Sequence, residues 1–156
     1  MKWRISTSNI LSTSARTFSD NLEVMIAGYN LASHFIVCLR EHCSKYRSQI
    51  FSFLLTLLSI PKLDAAERGN VENYIMLLGE FSGFSNLTEL YAVEISSILR
   101  EFYDSKSYLQ WHAYSKDRFK FDIIVRNCGK GLADVLDLIV EILEGMTSQN
   151  SDLEVK

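Results

Sequence analysis

Residues 64–83 read DAAERGNVENYIMLLGEFSG and carry the signals of one complete helix. Asp64 is a good N-cap residue, and Glu67 three positions later completes the pattern of a capping box. Gly83 stands where many helices end in a left-handed residue. Between these ends the apolar side chains recur at helical spacing: Val71, Tyr74, Ile75, Leu78 and Phe81. This pattern predicts an amphipathic helix over about 64–82.

The same signals recur along the rest of the chain. Asp20 and Asn86 are further cap residues, each followed three positions later by a glutamate. Apolar stripes at helical spacing then predict more helices, over about 20–43, 48–59, 86–104, 116–128 and 131–145. Pro61 ends the helix predicted over 48–59. No segment shows the alternation of apolar and polar residues that is typical of a strand. The sequence therefore predicts an all-α fold of about five to seven helices.

Short links join the predicted helices two by two, which makes each pair antiparallel. The pairs cover about 20–60, 64–104 and 116–145, within one helical-repeat domain of residues 20–151. Their starts are about 44 and then roughly 50 residues apart, near the period of HEAT and armadillo repeats. We therefore expect antiparallel helix pairs stacked as a short HEAT/ARM-like α-solenoid or as a compact bundle.

Composition excludes several other classes of protein. The chain has 156 residues, 47% of them hydrophobic, which suits one globular domain. One proline and seven glycines are too few for the turns of an all-β fold. A net charge of −3 argues against a nucleic-acid partner. The most apolar run, Ile50–Ile60, is about half of the roughly 20 residues that cross a membrane, so no membrane partner is expected.

The first 19 residues differ from the rest. They contain Lys2, Arg4 and Arg16, many hydroxyl residues and no acidic residue. This composition is typical of a mitochondrial transit peptide, and it also fits a flexible leader before the helical domain. Both interpretations stay open on the sequence alone. The first interpretation leads to a mitochondrial helical protein.

One set of residues has the chemistry of metal ligands. His34, Cys38 and His42 follow one another at intervals of four, on one face of the predicted first helix. The outer two are about 12 Å apart along a helix axis, too far to bind one ion. No CxxC pair completes a zinc site, and no nucleophile elbow or phosphate loop is present. We expect no enzyme activity, metal or cofactor, and a small metal-binding or enzymatic protein using these three residues is the alternative.

Two residue sets are candidates for binding a protein partner. The first is aromatic and lies in a predicted loop over 105–115: Tyr108, Trp111 and Tyr114. These rings either fix the loop to the helices or offer a binding anchor. The second is acidic and spaced along the last predicted helix: Asp134, Asp137, Glu141 and Glu144. Such a row is either a solvated helix face or a docking strip for a basic partner.

The final residues, Asp152-Leu153-Glu154-Val155-Lys156, resemble the Asp-x-x-Val-basic signature of HEAT repeats. Farther back, a longer pattern is similar to the HEAT region of axonemal dynein assembly factors of the HEAT-repeat type: Phe121-Asp122, Gly129, Leu132, Leu136, Ile139, Leu143 and Thr147-Ser148. The chain departs from a regular array in its unequal repeats and in lacking the usual proline of the first helices. This departure leaves an ARM-like or merely HEAT-like bundle open.

The resemblance implies a function as well as a fold. It implies a non-enzymatic scaffold in the cytoplasm that takes part in assembling the axonemal dynein of cilia or another large complex. Its partners would then be proteins, such as dynein chains or co-chaperones. Neither the partner nor the helix face that binds it can be read from the sequence.

The C-terminal end predicts an unfinished array. Thr147–Ser151 is polar and predicts a turn, after which residues 152–156 begin an incomplete further helix. Helical repeats need terminal caps with polar outer faces, and none is apparent here. We therefore expect a partly exposed apolar stripe, or one covered by a second copy of the chain: Val135, Ile139, Ile142 and Leu143.

Overall fold

The computed structural model describes residues 22–61 and 63–154. This part of the chain contains six α-helices, which are α1 (Leu22–Leu39), α2 (Arg47–Leu58), α3 (Ala65–Phe81), α4 (Leu87–Ser105), α5 (Lys116–Asn127) and α6 (Leu136–Glu154). Three 3-10 segments complete it: Arg40–Tyr46, Ser107–Gln110 and Gly129–Val135. No strand occurs in the described ranges. The predicted all-α fold is therefore confirmed.

The chain divides into two compact units, with the boundary between Leu87 and Thr88. The first unit contains α1, α2 and α3, and the second contains α5, α6 and all of α4 but its first residue. The boundary falls inside the predicted middle pair of 64–104, so its two helices belong to different units. The grouping of the chain into three repeat-like pairs stays a prediction, and the predicted leader of residues 1–19 lies outside the described residues.

Helix α2 is the centre of the first unit. It lies against α1, α3 and the Arg40–Tyr46 segment, and every apolar side chain on it is buried. The buried set is Ile50, Phe51, Phe53, Leu54, Leu55, Leu57 and Leu58. The hydroxyl of Thr56 donates to the carbonyl of Ser52 at 2.8 Å, so it is satisfied within the helix. The short apolar run is thus a core helix, as predicted.

Helix α3 begins and ends as its sequence predicts. The Asp64 carboxylate accepts a hydrogen bond from the backbone N–H of Glu67 at 2.8 Å, and the Glu67 side chain accepts one in return. At the other end Gly83 adopts a φ of +85°, a conformation that suits glycine because it has no Cβ. The N–H of Phe84 then donates back to the carbonyl of Gly79 at 3.0 Å, which closes the helix.

The first helix is shorter than predicted. Instead of continuing to residue 43, α1 ends at Leu39, and Arg40 takes a positive φ of +40° before the 3-10 segment begins. The buried thiol of Cys43 reaches the carbonyl of Ile36, at 3.8 Å. Residues seven positions apart in a straight helix are about 10.5 Å apart along its axis. The backbone must therefore leave the helical path to bring Cys43 into the core.

In the second unit, the predicted loop over 105–115 contains a 3-10 segment, Ser107–Gln110. Lys106 adopts a left-handed φ of +53° and turns the chain at the end of α4. Trp111 follows and packs edge-on against Phe102 of α4, with ring centroids 5.0 Å apart. It also contacts Phe121 of α5, at 5.7 Å. The loop is therefore fixed by its tryptophan between two helices.

The predicted break near Gly129 and Gly131 is confirmed as the 3-10 segment Gly129–Val135. Gly129 has a φ of +51°, and Gly131 lies so close to α4 that a Cβ on it would be 2.5 Å from that of Ala92. The last α-helix consequently begins at Leu136, five residues later than predicted.

The C-terminal end of that helix is also different. The predicted turn over Thr147–Ser151 is wrong, because α6 continues to Glu154. The Thr147 hydroxyl donates to the carbonyls of Leu143 and Glu144, and Ser148 donates to the carbonyl of Gly145, so both side chains are accommodated within the helix. Asp152 accordingly lies inside α6 and does not begin a further helix, while residues 155 and 156 lie outside the described part.

The predicted exposed stripe is wrong for three of its four residues. Val135, Ile139 and Ile142 are buried, and only Leu143 is exposed. The reason is the orientation of α6 about its axis: the face that carries Ile139 and Ile142 packs into the core of the second unit, whereas it was expected to face outward. The apolar residues of α6 that face outward are Leu136, Val140 and Leu143.

Candidate interaction surface

Helix α6 presents a row of exposed apolar side chains. Leu136, Val140 and Leu143 retain 51%, 43% and 44% of their surface. Their spacing of four and three residues puts them on one line along the helix, over about 10.5 Å. We call these three residues the apolar ridge. Three neighbouring apolar side chains on one helix face form a continuous patch, unlike the single exposed residues that any protein surface carries.

An acidic row runs beside the ridge. Asp137, Glu141 and Glu144 are exposed, and each follows a ridge residue by one position. Successive helical residues are about 100° apart around the axis, so the three carboxylates line one flank of the ridge. We call them the acidic stripe. Asp134 is exposed in the 3-10 segment just before α6, and the sequence of α6 contains no lysine or arginine.

Glu141 also joins α6 to α4. The hydroxyl of Tyr103 donates a hydrogen bond to the Glu141 carboxylate, and this bond, with the nearby negative charge, raises the pKa of Tyr103. The ring of Tyr103 in turn stacks on that of Tyr108, with centroids 6.2 Å apart and planes 8° from parallel. The acidic row and the aromatic segment, predicted as two separate sets, therefore meet at Tyr103. Tyr103 was not among the predicted site residues, although it lies on the helix predicted over 86–104.

Tyr108, one of the predicted binding residues, is buried within the second unit. It is 8% exposed, and its ring lies against Gly145 of α6. An aromatic side chain with this much buried area stabilises the unit in which it lies. Tyr108 consequently acts as a packing residue that holds the 3-10 segment to α6.

The other two aromatic candidates differ in exposure. Trp111 is half-buried between its two phenylalanine neighbours, and its indole N–H has no hydrogen-bond partner within the described part of the chain. Tyr114 is 78% exposed. Its backbone N–H donates to Nδ1 of His112 at 3.2 Å, which helps to fix the turn that carries it. Tyr114 is the member of this set whose ring is free to contact a partner.

The histidines and cysteine proposed as an alternative metal site are not gathered by the fold. His34, Cys38 and His42 are all exposed, and His42 lies beyond the positive-φ residue Arg40, in the 3-10 segment and not on α1. Within residues 22–61 and 63–154, no group of three or more His, Cys, Asp or Glu side chains is placed to hold a metal ion.

A small cavity lies among the helices of the first unit. It has a volume of about 40 Å³, and its lining is Ile26, Tyr29, Leu57, Leu63, Glu67, Asn70 and Val71. Ligand pockets usually enclose about 300–1,000 Å³, so this cavity has room for a water molecule or two only.

No helix of the described ranges is long and apolar enough to span a bilayer.

Comparison with known proteins gives one significant similarity. The chain is 26% identical over 108 residues to dynein axonemal assembly factor 5 of Xenopus laevis. The aligned part is 69% of this chain and 12% of that protein, so the chain spans a small fraction of the relative's length. No protein-family model matches the chain, and no solved structure matches it significantly. The chain is therefore an all-helical protein with distant similarity to a dynein axonemal assembly factor.

Proposed function

We propose that this chain is a non-enzymatic helical-repeat scaffold, of the HEAT or armadillo type, that takes part in the assembly of axonemal dynein or another large complex. The observation that carries the proposal is the similarity to dynein axonemal assembly factor 5 over 69% of the chain. By the same relationship, its place of work is the cytoplasm, and its partners are dynein chains or co-chaperones.

The surface of the second unit supports a binding function. Helix α6 exposes its ridge and its acidic stripe, while the buried side chains of Ile139 and Ile142 anchor it in the core. A rigid helix that offers apolar and charged groups at fixed spacing can bind a protein segment without a preformed pocket. Such a surface fits a scaffold, whose function is to hold other proteins.

The test is made in ciliated cells that express the tagged full-length chain. We expect axonemal dynein heavy or intermediate chains to co-purify with it from cytoplasm, before they reach the cilium. We also expect cells lacking the chain to lose dynein arms, seen by electron microscopy of axonemes. Normal dynein arms in such cells, together with no dynein chain in the purified material, would show that the proposal is wrong. Import of the tagged chain into mitochondria would favour the transit-peptide alternative.

A further inference from the structure

The exposed face of α6 combines two features that together define a ligand. We propose that the apolar ridge (Leu136, Val140, Leu143) and the acidic stripe (Asp137, Glu141, Glu144) bind a basic amphipathic helix of a protein partner. This inference rests on the proposed function, since it names the kind of segment that the scaffold would hold.

The ridge supplies the apolar half of the contact. Its three side chains each keep 43–51% of their surface exposed while they share one line on α6. Elsewhere in the described ranges, exposed apolar residues such as Met76 on α3 and Val93 on α4 follow no such row on their own helices. A helix that lies along the ridge would cover all three side chains with residues spaced by three and four.

The acidic stripe determines which helix can lie there. Each carboxylate stands one residue after a ridge residue, so a partner that covers the ridge has one edge next to the stripe. The long side chains of lysine and arginine can keep their apolar stems on the ridge while their charged ends reach the carboxylates. The partner is therefore a helix with an apolar row and a basic flank, and an acidic helix is repelled.

A second copy of the chain fits this surface less well. Two copies that met ridge to ridge would bring two acidic stripes into one interface, and α6 contains no lysine or arginine to balance them. Like charges at an interface suppress association. Charge complementarity thus favours a basic partner over self-association, and the experiment includes self-association as a competing result.

The experiment uses the purified full-length chain and a labelled synthetic peptide of about 18 residues, long enough to form a helix on binding. The peptide carries leucines spaced by three and four and lysines beside them. Its acidic twin has glutamate at each lysine position, and a scrambled peptide has the same composition without the spacing. Fluorescence anisotropy should show binding of the lysine peptide, with affinity about tenfold lower for both other peptides and decreasing with added salt.

Variants then locate the binding site on the chain. The double change Val140→Gln and Leu143→Gln alters two exposed side chains and should lower affinity about tenfold, with the circular dichroism spectrum unchanged. Asp137→Asn with Glu144→Gln should lower affinity and flatten its dependence on salt, and this variant leaves Glu141 bonded to Tyr103. The matched control changes one exposed apolar residue and its two acidic neighbours on α3: Glu72→Gln, Met76→Gln and Glu80→Gln.

Four results would overturn the inference. The first is equal binding of the lysine peptide and its acidic twin. The second is an equal loss of affinity in the α3 control. The third is concentration-dependent sedimentation of the parent chain that the Val140 and Leu143 changes abolish, which would assign the ridge to a second copy. Failure of the peptide to bind while dynein chains still co-purify would also overturn the inference and leave the proposed function standing.

Discussion

Gly145 of α6 lies directly against the ring of Tyr108: a Cβ atom on this glycine would be 2.3 Å from Cε2 and 2.9 Å from Cδ2 of the tyrosine. Real Cβ atoms do not approach other atoms so closely, so the contact requires a residue without a side chain. Gly145 therefore sets how closely α6 can approach the Ser107–Gln110 segment. The last helix was predicted to end near this same glycine.

Replacing this glycine should destabilise the protein. Gly145→Ala should lower the free energy of unfolding by about 1–2 kcal/mol, because overpacking costs about 1–3 kcal/mol and the better helix propensity of alanine recovers part of it. Urea unfolding followed by circular dichroism measures the change. Gly69→Ala is the matched control: it lies within α3 with nothing near its added Cβ, and it should stabilise the protein by about 0.5–1 kcal/mol. Equal effects in the two variants would contradict the close contact.

Two neighbouring residues of α6 should respond very differently to truncation. Ile142 is fully buried while Leu143 is 44% exposed. Ile142→Ala should therefore lower the free energy of unfolding by about 2–5 kcal/mol through loss of packing and a residual cavity. Leu143→Ala should change it by about 0.5 kcal/mol or less. Chemical denaturation of both variants measures the difference, and a larger loss in Leu143→Ala would mean that α6 is rotated from its described orientation.

Replacement of two aspartates, Asp64 and Asp122, should lower the stability of the protein by different amounts. Asp64→Ala removes the N-cap of α3 and should cost about 1 kcal/mol of stability, because the N–H of Glu67 loses its acceptor. Asp122 forms an exposed ion pair with Arg126, in which Oδ1 and Nε are 3.0 Å apart. Exposed pairs contribute about 0.2–1 kcal/mol, so Asp122→Ala should have the smaller effect, and added salt should weaken it further. Thermal unfolding at low and high salt separates the two. Equal, salt-sensitive losses would show that Asp64 acts by charge and not as a cap.

The phenol of Tyr29 should ionise late. Burial raises the pKa of Tyr29 to about 12, and a hydrogen bond with Tyr74 adds to the shift. The two rings meet edge to face, with centroids 5.3 Å apart. Absorbance near 295 nm should show a phenol titrating near pH 12 that Tyr29→Phe removes. Tyr74→Phe should lower that midpoint but keep it above the ordinary value of about 10, since burial remains.

The same shift makes stability depend on alkaline pH. Above pH 10 the phenol of the unfolded chain ionises while that of Tyr29 in the folded chain keeps its proton. The contribution of Tyr29 to stability is therefore complete below about pH 10 and is lost as the pH rises toward 12. Unfolding free energies of Tyr29→Phe should decrease less than those of the parent chain over this interval. An identical decrease in both would contradict the shift.

Local signals predicted most of the helices. The cap at Asp64, the glycine at 83 and the apolar run of α2 each act within a few residues, so their consequences can be read from the sequence. The helix boundaries that were predicted wrongly are those determined by contacts between residues far apart in the sequence. Cys43 leaves the helical path because its thiol enters the core near Ile36, and Gly145 lies inside a helix, against the ring of Tyr108.

The candidate surface was predicted in part, for the same reason. The acidic spacing on the last helix was visible, because it depends only on residues three and four positions apart. Which face of that helix is buried could not be predicted, because Val135 and Ile139 could face either way until their neighbours in the core are known. The ridge and the bond between Tyr103 and Glu141 emerge only when α4 and α6 are placed together.

The three cysteines allow each unit to report its own opening. Cys38 is exposed, whereas Cys43 in the first unit and Cys128 in the second are buried, and burial raises the pKa of both buried thiols. A thiol reagent requires an accessible thiolate, so it should modify Cys38 rapidly and the other two only when their surroundings unfold. Mass spectrometry of the modified peptides would then follow the local unfolding of the two units separately, in the unaltered protein.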